Sequence, residues 1–319
     1  MQTPSWWQHR NMTALALSPF GWLYGLGTFL RQRTVGPWTA PVPVICVGNI
    51  TAGGNGKTPV TLDILERLPG AHALLRGYGG KLKGPVQVNR QHHTCDEIGD
   101  EALLLAEKAP TWVARDRTAG AQAACKTGAR YIVMDDGLQN PSLGKTLSLI
   151  VIDGQYGFGN NLMIPAGPLR ESPRQAWKRA DGIVLLGEDR TGVIDTAPAH
   201  LPVLRGRLVP DNKGETWSGQ RVIAFAGIGR PRKFFDTLAT LGAELVSTYS
   251  FADHHLYSRD EISRMLEHAR REHCQLVTTT KDAVRIDPVQ RSALSVLSVR
   301  VEWDDHGEAL GALLEPLTR

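Results

Sequence analysis

Thr51-Ala52-Gly53-Gly54-Asn55-Gly56-Lys57-Thr58 follows an apolar run at residues 42–47 and precedes Pro59 and a helical pattern at 59–68. It matches the phosphate-loop pattern G-x-x-x-x-G-K-[ST] at every specified position but the first, where Thr51 replaces glycine. Glycines let backbone N–H groups approach phosphate oxygens, and the N-terminus of the next helix adds positive potential. Lys57 is expected to reach the β- and γ-phosphates and Thr58 to ligate Mg²⁺. Pro59 sits just inside the helix, where its missing N–H has no partner to lose. The strand before and the helix after separate this loop from a glycine-rich turn with a chance Lys-Thr. Residues 51–58 are therefore expected to bind a nucleoside triphosphate.

Such a site needs an acid at the end of a neighbouring strand. The apolar run at 131–134 ends in Asp135 and Asp136, either of which would hold Mg²⁺ directly or through water. Further apolar runs at 74–75, 111–114, 147–152 and 183–186 alternate with helical patterns at 101–108 and 117–127. Continuous apolar strands between helices predict an α/β fold of the P-loop NTPase type, a mostly parallel sheet with helices on both faces.

Between Glu188 and Gly219 the composition turns polar, and a hinge is expected there. A second alternation follows: strands at 222–226, 245–249 and 276–279, helices at 233–241 and 259–273, and a last helix at 307–317. Ser258 and Glu261 form a capping box ahead of the helix at 259. The expected organisation is an N-terminal membrane-associating segment (1–38), a P-loop domain (39–200) and a smaller second α/β domain (201–319).

The 319 residues are 42% apolar and 21% charged, enough to bury a core and unlike a disordered chain. A net charge of +4 is far from that of a nucleic-acid wrapper, but it suits a surface that meets anionic lipid or phosphate. Cys46, Cys95, Cys125 and Cys274 stand far apart, which argues against a disulfide scaffold or structural zinc site. His92, His93 and Cys95 lack a fourth partner and read as incidental. Residues 12–30 carry no charge and lie between Arg10 and the pair Arg31 and Arg33. Ser18, Pro19, Gly21, Gly25 and Gly27 interrupt the run, so an interfacial helix is favoured over a span. On a helix, Leu15, Trp22, Leu23, Leu26 and Leu30 share one face. Trp6, Trp7, Trp22 and Trp38 suit a headgroup zone.

Within the P-loop class, a GTPase needs Asn-Lys-x-Asp, and Asn212-Lys213-Gly214-Glu215 has Glu at the last position. The membrane-positioning ATPases carry a second loop lysine where Ala52 stands. One alternative is a membrane-associated ATPase or GTPase acting as a switch or assembly factor; the other is a kinase.

Several strings, in order along nearly the whole chain, decide between them. They are Val47-Gly48-Asn49 before the loop, Arg76-Gly77-Tyr78-Gly79, Gly99-Asp100-Glu101, Asp135-Asp136-Gly137-Leu138-Gln139-Asn140, Asp153-Gly154-Gln155-Tyr156-Gly157-Phe158-Gly159-Asn160, and Pro165-Ala166-Gly167-Pro168-Leu169-Arg170-Glu171. Phe225-Ala226-Gly227-Ile228-Gly229, Asp253-His254-His255 and Thr280-Lys281-Asp282-Ala283 complete the set. Together they resemble the tetraacyldisaccharide 4′-kinases, the lipid A 4′-kinases of Gram-negative bacteria. Two positions depart from that family: Leu138 stands for its usual Phe, and Gly80 for a basic residue.

The resemblance implies transfer of the γ-phosphate of ATP, with Mg²⁺, to the 4′-hydroxyl of an acylated glucosamine disaccharide 1-phosphate. It places the enzyme at the cytoplasmic face of the inner membrane, with a lipid substrate, no nucleic acid and no obligate protein partner. The hydroxyl must lose a proton, and Asp100 is the expected recipient, working with His254 from the second domain. Arg76, Arg117 and Arg170 are expected to bind anionic substrate groups, since arginine grips phosphate bidentately. Glu101 is a further candidate for the metal shell beside Thr58, Asp135 and Asp136.

Overall fold

The computed structural model describes residues 4–54, 56–211 and 216–318; Asn55 and the string at 212–215 lie outside them. In chain order the strands are β1 (Val44–Gly48), β2 (Ala71–Leu75), β3 (Val86–Gln87), β4 (Thr111–Val113), β5 (Tyr131–Asp135), β6 (Leu147–Asp153), β7 (Gly182–Leu186), β8 (Val203–Pro210), β9 (Arg221–Ala226), β10 (Glu244–Ser250), β11 (Gln275–Thr279), β12 (Ser295–Leu297) and β13 (Val299–Trp303). Nine of them form one sheet in the order β13-β8-β7-β6-β1-β5-β2-β4-β3. Only the two edges, β13 on β8 and β3 on β4, pair antiparallel. The remaining four form a parallel sheet, β10-β9-β11-β12.

Both faces of the large sheet are covered, as its unbroken apolar strands require. Alternation along β1 shows this residue by residue. Ile45 and Val47 face a core with Val60 and Ile64 of helix Lys57–Arg67. Val44 and Cys46 face the opposite core with Ala121 and Ala124 of helix Arg117–Lys126. In the small sheet, Ala224 and Ala226 pack on Phe234, Phe235 and Leu238, while Ile223 and Phe225 pack on Ile262 and Met265.

The division of the chain differs from that expected at residue 201. Strand β8, strand β13 and helix Glu308–Thr318 all belong to the large sheet, with Val301, Trp303, Leu310 and Leu314 in its core. The chain leaves the large sheet after β8, builds the small one and returns. An antiparallel edge strand carries no crossover-helix signature, so β13 had no sequence pattern to betray it.

Residues Met12–Thr34 form one helix, capped by Asn11, whose side chain accepts from the Ala14 N–H at 2.9 Å. Its small residues face the protein: Ala14 and Gly21 are buried, and Gly21 lies against Met163. Its large apolar residues face outward, with Trp22 83% exposed and Met12, Leu15, Phe20, Leu23, Leu26 and Leu30 also exposed. This inverts the pattern of a helix packed on a soluble core. No helix among the described residues is long and apolar enough to cross a membrane. The segment before the helix docks on residues 160–165. Trp7 Nε1 donates to the Pro165 carbonyl at 3.1 Å, and Asn160 Nδ2 donates to the Trp6 carbonyl at 2.8 Å.

Candidate active site

β1 lies between β5 and β6, and Val47 pairs with Asp135. The loop that leaves β1 therefore opens beside the carboxylates that end β5, the topological position where open α/β sheets bind ligands. Gly56, at φ +80°, caps helix Lys57–Arg67 in a left-handed conformation. Thr51 forms an antiparallel bridge with Leu169, and the Ala52 N–H donates to the Pro168 carbonyl at 2.8 Å. The first loop position is thus fixed as extended backbone, which explains why threonine serves where the pattern has glycine. The Gly-Pro-Leu-Arg string acts here as a backing for the phosphate loop.

Thr58 Oγ1 lies 3.3 Å from Asp135 Oδ2. Asp135 Oδ1 is buried with no partner among the described residues. Burial, and next the charge of Glu101, push the Asp135 carboxyl up to about 7. A buried carboxylate oxygen that lacks a partner, beside a hydroxyl and a second acid, fits Mg²⁺. This ion takes one or two carboxylates and leaves its other positions to water and phosphate. Thr58, Asp135 and Glu101 would hold it, and it would neutralise phosphate charge. No cluster of three or more His, Cys, Asp or Glu with metal-binding geometry occurs among the described residues.

Asp136, the other expected metal ligand, is directed elsewhere. Arg170 Nη1 donates to both its oxygens at 2.9 Å, and Lys57 Nζ stands 3.7 Å from Oδ1. Burial opposes its ionisation, but Lys57 and Arg170 outweigh that and hold it down at about 2. Arg170, expected on substrate, is thereby half of a partly buried ion pair in this structure. Arg117 is buried too: Nη1 donates to the Ala114 carbonyl, Nε has no partner among the described residues, and burial lowers it to about 10. Arg76 is exposed, within electrostatic reach of Arg117.

The small sheet supplies the opposite wall. His254 Nδ1 lies 3.1 Å from Asp100 Oδ2 across 154 residues of sequence. Asp100 is the first residue of helix Asp100–Leu105 and is buried. His254 holds φ +60°, and its N–H donates to the Gly227 carbonyl at 3.0 Å. A left-handed non-glycine residue is strained, and such strain persists where surrounding contacts impose it. The neighbour His255 supplies them: it stacks on Phe251 at 4.7 Å, and its Nε2 meets Glu261 at 3.1 Å. Tyr78 of the Arg-Gly-Tyr-Gly string leans on the His254 ring at 5.5 Å.

Two further cations from the small sheet's unit reach Asp100 and its neighbour Glu101. Arg285 Nε donates to Asp100 Oδ2 at 3.0 Å, and Lys281 Nζ donates to Glu101 at 2.9 Å. Burial alone would raise the Asp100 carboxyl, but His254, Lys281 and Arg285 together hold it well below the usual range. Lys281 stood in a quoted string; Arg285 had no signal, because a buried ion-pair partner 185 residues away leaves no local pattern. Gly80 packs so that an added Cβ would stand 2.7 Å from the Glu97 carbonyl oxygen. The basic side chain usual in the resembling family has no room there.

A phosphate loop, a carboxylate fit for Mg²⁺ on the adjacent strand and an Asp100 met by a histidine from the second sheet define a P-loop phosphotransferase with a hydroxyl acceptor. The chain belongs to the tetraacyldisaccharide-1-P 4′-kinase family, whose model matches residues 13–318. It is 48% identical to the tetraacyldisaccharide 4′-kinase of Rhodospirillum centenum, over 99% of this chain and 97% of that one. With the enzyme of the same name from Methylorubrum extorquens strain PA1 it shares 51%, over 95% of each. Its fold superposes on the apo-form LpxK of Aquifex aeolicus in complex with ATP, with a TM-score of 0.77 and 26% identity over 96% of this chain and 99% of that one.

Proposed function

We propose that this chain transfers the γ-phosphate of ATP to the 4′-hydroxyl of a tetraacyl glucosamine disaccharide 1-phosphate, a step of lipid A biosynthesis. Family membership over nearly the whole chain supports the activity. The observation that carries the mechanism is the Asp100/His254 contact, since a water-activating switch has no need of an acid held by a histidine from a second sheet. Residues 51–58 cradle the triphosphate, Lys57 turns from Asp136 to the β/γ-phosphates, and Thr58, Asp135 and Glu101 would hold Mg²⁺, which would neutralise phosphate charge. Asp100, with His254, takes the hydroxyl proton. Of the three arginines, Arg76 is the exposed one and is the readiest to meet an anionic group of the substrate, while Arg117 and Arg170 hold the Ala114 carbonyl and Asp136 beside it. The small sheet is the unit that closes over the site. The test is labelled ATP with the disaccharide 1-phosphate lipid, resolved by chromatography. Label in the lipid is expected; label only in free phosphate would mean a hydrolase.

The second part of the proposal is docking at the cytoplasmic face of the inner membrane. The acceptor's acyl chains cost about 0.8 kcal/mol per CH₂ exposed to water, so the kinase does best at the bilayer surface. The outward row on helix Met12–Thr34, flanked by Arg10, Arg31 and Arg33, supports this: apolar burial plus attraction to anionic lipid. Because the inward face holds the helix to residues 160–167, outer-face substitutions are cleaner than truncation. Trp22→Ser/Leu23→Ser/Leu26→Ser is expected to leave the melting temperature within about 2 °C, since exposed changes rarely exceed ±0.5 kcal/mol. It should release the enzyme from anionic vesicles in flotation and reduce activity on long-chain lipid more than on a short-chain soluble analogue. Unchanged flotation would show that the helix does not dock on lipid.

A further inference from the structure

Thr280-Lys281-Asp282-Ala283 is not accounted for by the phosphate loop or by the Asp100/His254 pair. These residues form a single helical turn after β11, and the turn ends close to Arg285. The Arg285 side chain is 1% exposed. Its Nε donates to Asp100 Oδ2 at 3.0 Å, and Nη2 donates to the same oxygen. Nη1 donates to the Gly227 carbonyl at 2.7 Å and to Asp282 Oδ1 at 3.0 Å. Asp282, fully buried, also accepts from the Gly227 N–H at 2.9 Å, the Tyr257 hydroxyl at 2.8 Å and the Thr279 hydroxyl at 2.6 Å. One carboxylate of the small sheet thus fixes a guanidinium, and the guanidinium reaches across to the large sheet. His254 Nδ1 meets the same Asp100 oxygen, Oδ2. The other oxygen, Oδ1, accepts only the Glu101 N–H, at 2.9 Å, among the described residues.

We propose that Arg285 is a positioning residue for phosphoryl transfer: gripping Asp100 Oδ2 beside His254, it fixes the carboxylate so that Oδ1 is left to meet the acceptor hydroxyl. The proposal rests on the reading of Asp100 as the acceptor-side base. As the acceptor oxygen bonds to the γ-phosphorus, the bridging oxygen leaves with its electron pair on ADP. The hydroxyl proton passes to Asp100 and is shared with His254. A guanidinium serves better than an ammonium, because its planar fork sets two N–H groups on the one oxygen Oδ2 while its remaining nitrogen keeps hold of Asp282 and Gly227. The gain is one of alignment, which acts on kcat and leaves ATP affinity alone.

A double-mutant cycle in the full-length enzyme tests this, with kcat and KM for ATP measured on the lipid acceptor. Arg285→Met is expected to lower kcat about 10²-fold with KM for ATP changed less than about 3-fold, and to cause no further loss in the Asp100→Asn background. Arg285→Lys keeps the buried charge and should recover about 10-fold of that loss. If Arg285→Met is recovered unfolded, Arg285→Lys decides the question, because its remaining deficit should vanish in the Asp100→Asn background. Losses that multiply with Asp100→Asn would overturn the role of Arg285 alone. Near-normal kcat in Asp100→Asn itself would remove Asp100 as the base, and the proposal with it.

Discussion

Lys57→Ala is expected to cut kcat by about 10²–10³-fold or more at saturating ATP, the scale set by removing one preorganised donor from a developing charge. The effect is large because Lys57 is the only lysine between residues 51 and 58, and because it begins the helix whose N-terminus would meet the phosphates in the proposed complex. The loss should fall on kcat, since charge on the transferring phosphoryl group grows toward the transition state and the backbone cradle still binds ground-state ATP. The fold should persist. Asp136 keeps Arg170 on both its oxygens when Lys57 is gone, so no buried carboxylate is orphaned. Steady-state kinetics with labelled ATP and a thermal melt check the two halves. A variant that melts normally and retains near-normal kcat would show that residues 51–58 are not the phosphate loop of this reaction.

Asp100→Ala and His254→Ala should each lower kcat by about 10²–10⁴-fold, the range for positioned acid–base groups. If the two act as one unit, the double variant is little worse than the worse single one. The single changes differ in their structural cost. His254 is partly exposed, and alanine at φ +60° costs only local strain. Asp100→Ala takes from buried Arg285 one of its two carboxylates and leaves Asp282 as its partner, which is expected to destabilise the fold. Kinetics for that variant must therefore be taken well below its melting temperature, with Asp100→Asn alongside to keep the side-chain volume. Multiplicative losses in the double variant would show that the carboxylate and the imidazole serve separate steps.

The legibility of this site in the sequence followed its locality. Thr51 to Thr58 and Asp135 stand within one strand–loop–helix unit and one strand end, where spacing and glycine content carry the chemistry. Asp100 and His254 were named from a family resemblance, and their 3.1 Å contact is a product of the fold. Asp136 shows the limit of a pattern: Asp-Asp offers two equivalent acids, and only the packing shows that Asp136 pairs with Arg170 and Lys57 while Asp135 meets Thr58. Arg285 was invisible because nothing in Val284-Arg285-Ile286 distinguishes a buried arginine from a surface one.

The sequence by itself determined the parallel α/β plan, the phosphate loop and the apolar N-terminal helix, all of which follow from short-range periodicity and from residues whose backbone or charge has few other uses. It did not determine the return of β13 and the last helix to the large sheet, nor the direction in which helix Met12–Thr34 turns its large side chains. Tertiary structure decided those, along with the convergence of His254, Lys281 and Arg285 on Asp100 and Glu101. The physical reason is common to all of them. Each depends on pairing between segments far apart in the chain, where burial and charge compensation choose among partners that local sequence leaves equivalent.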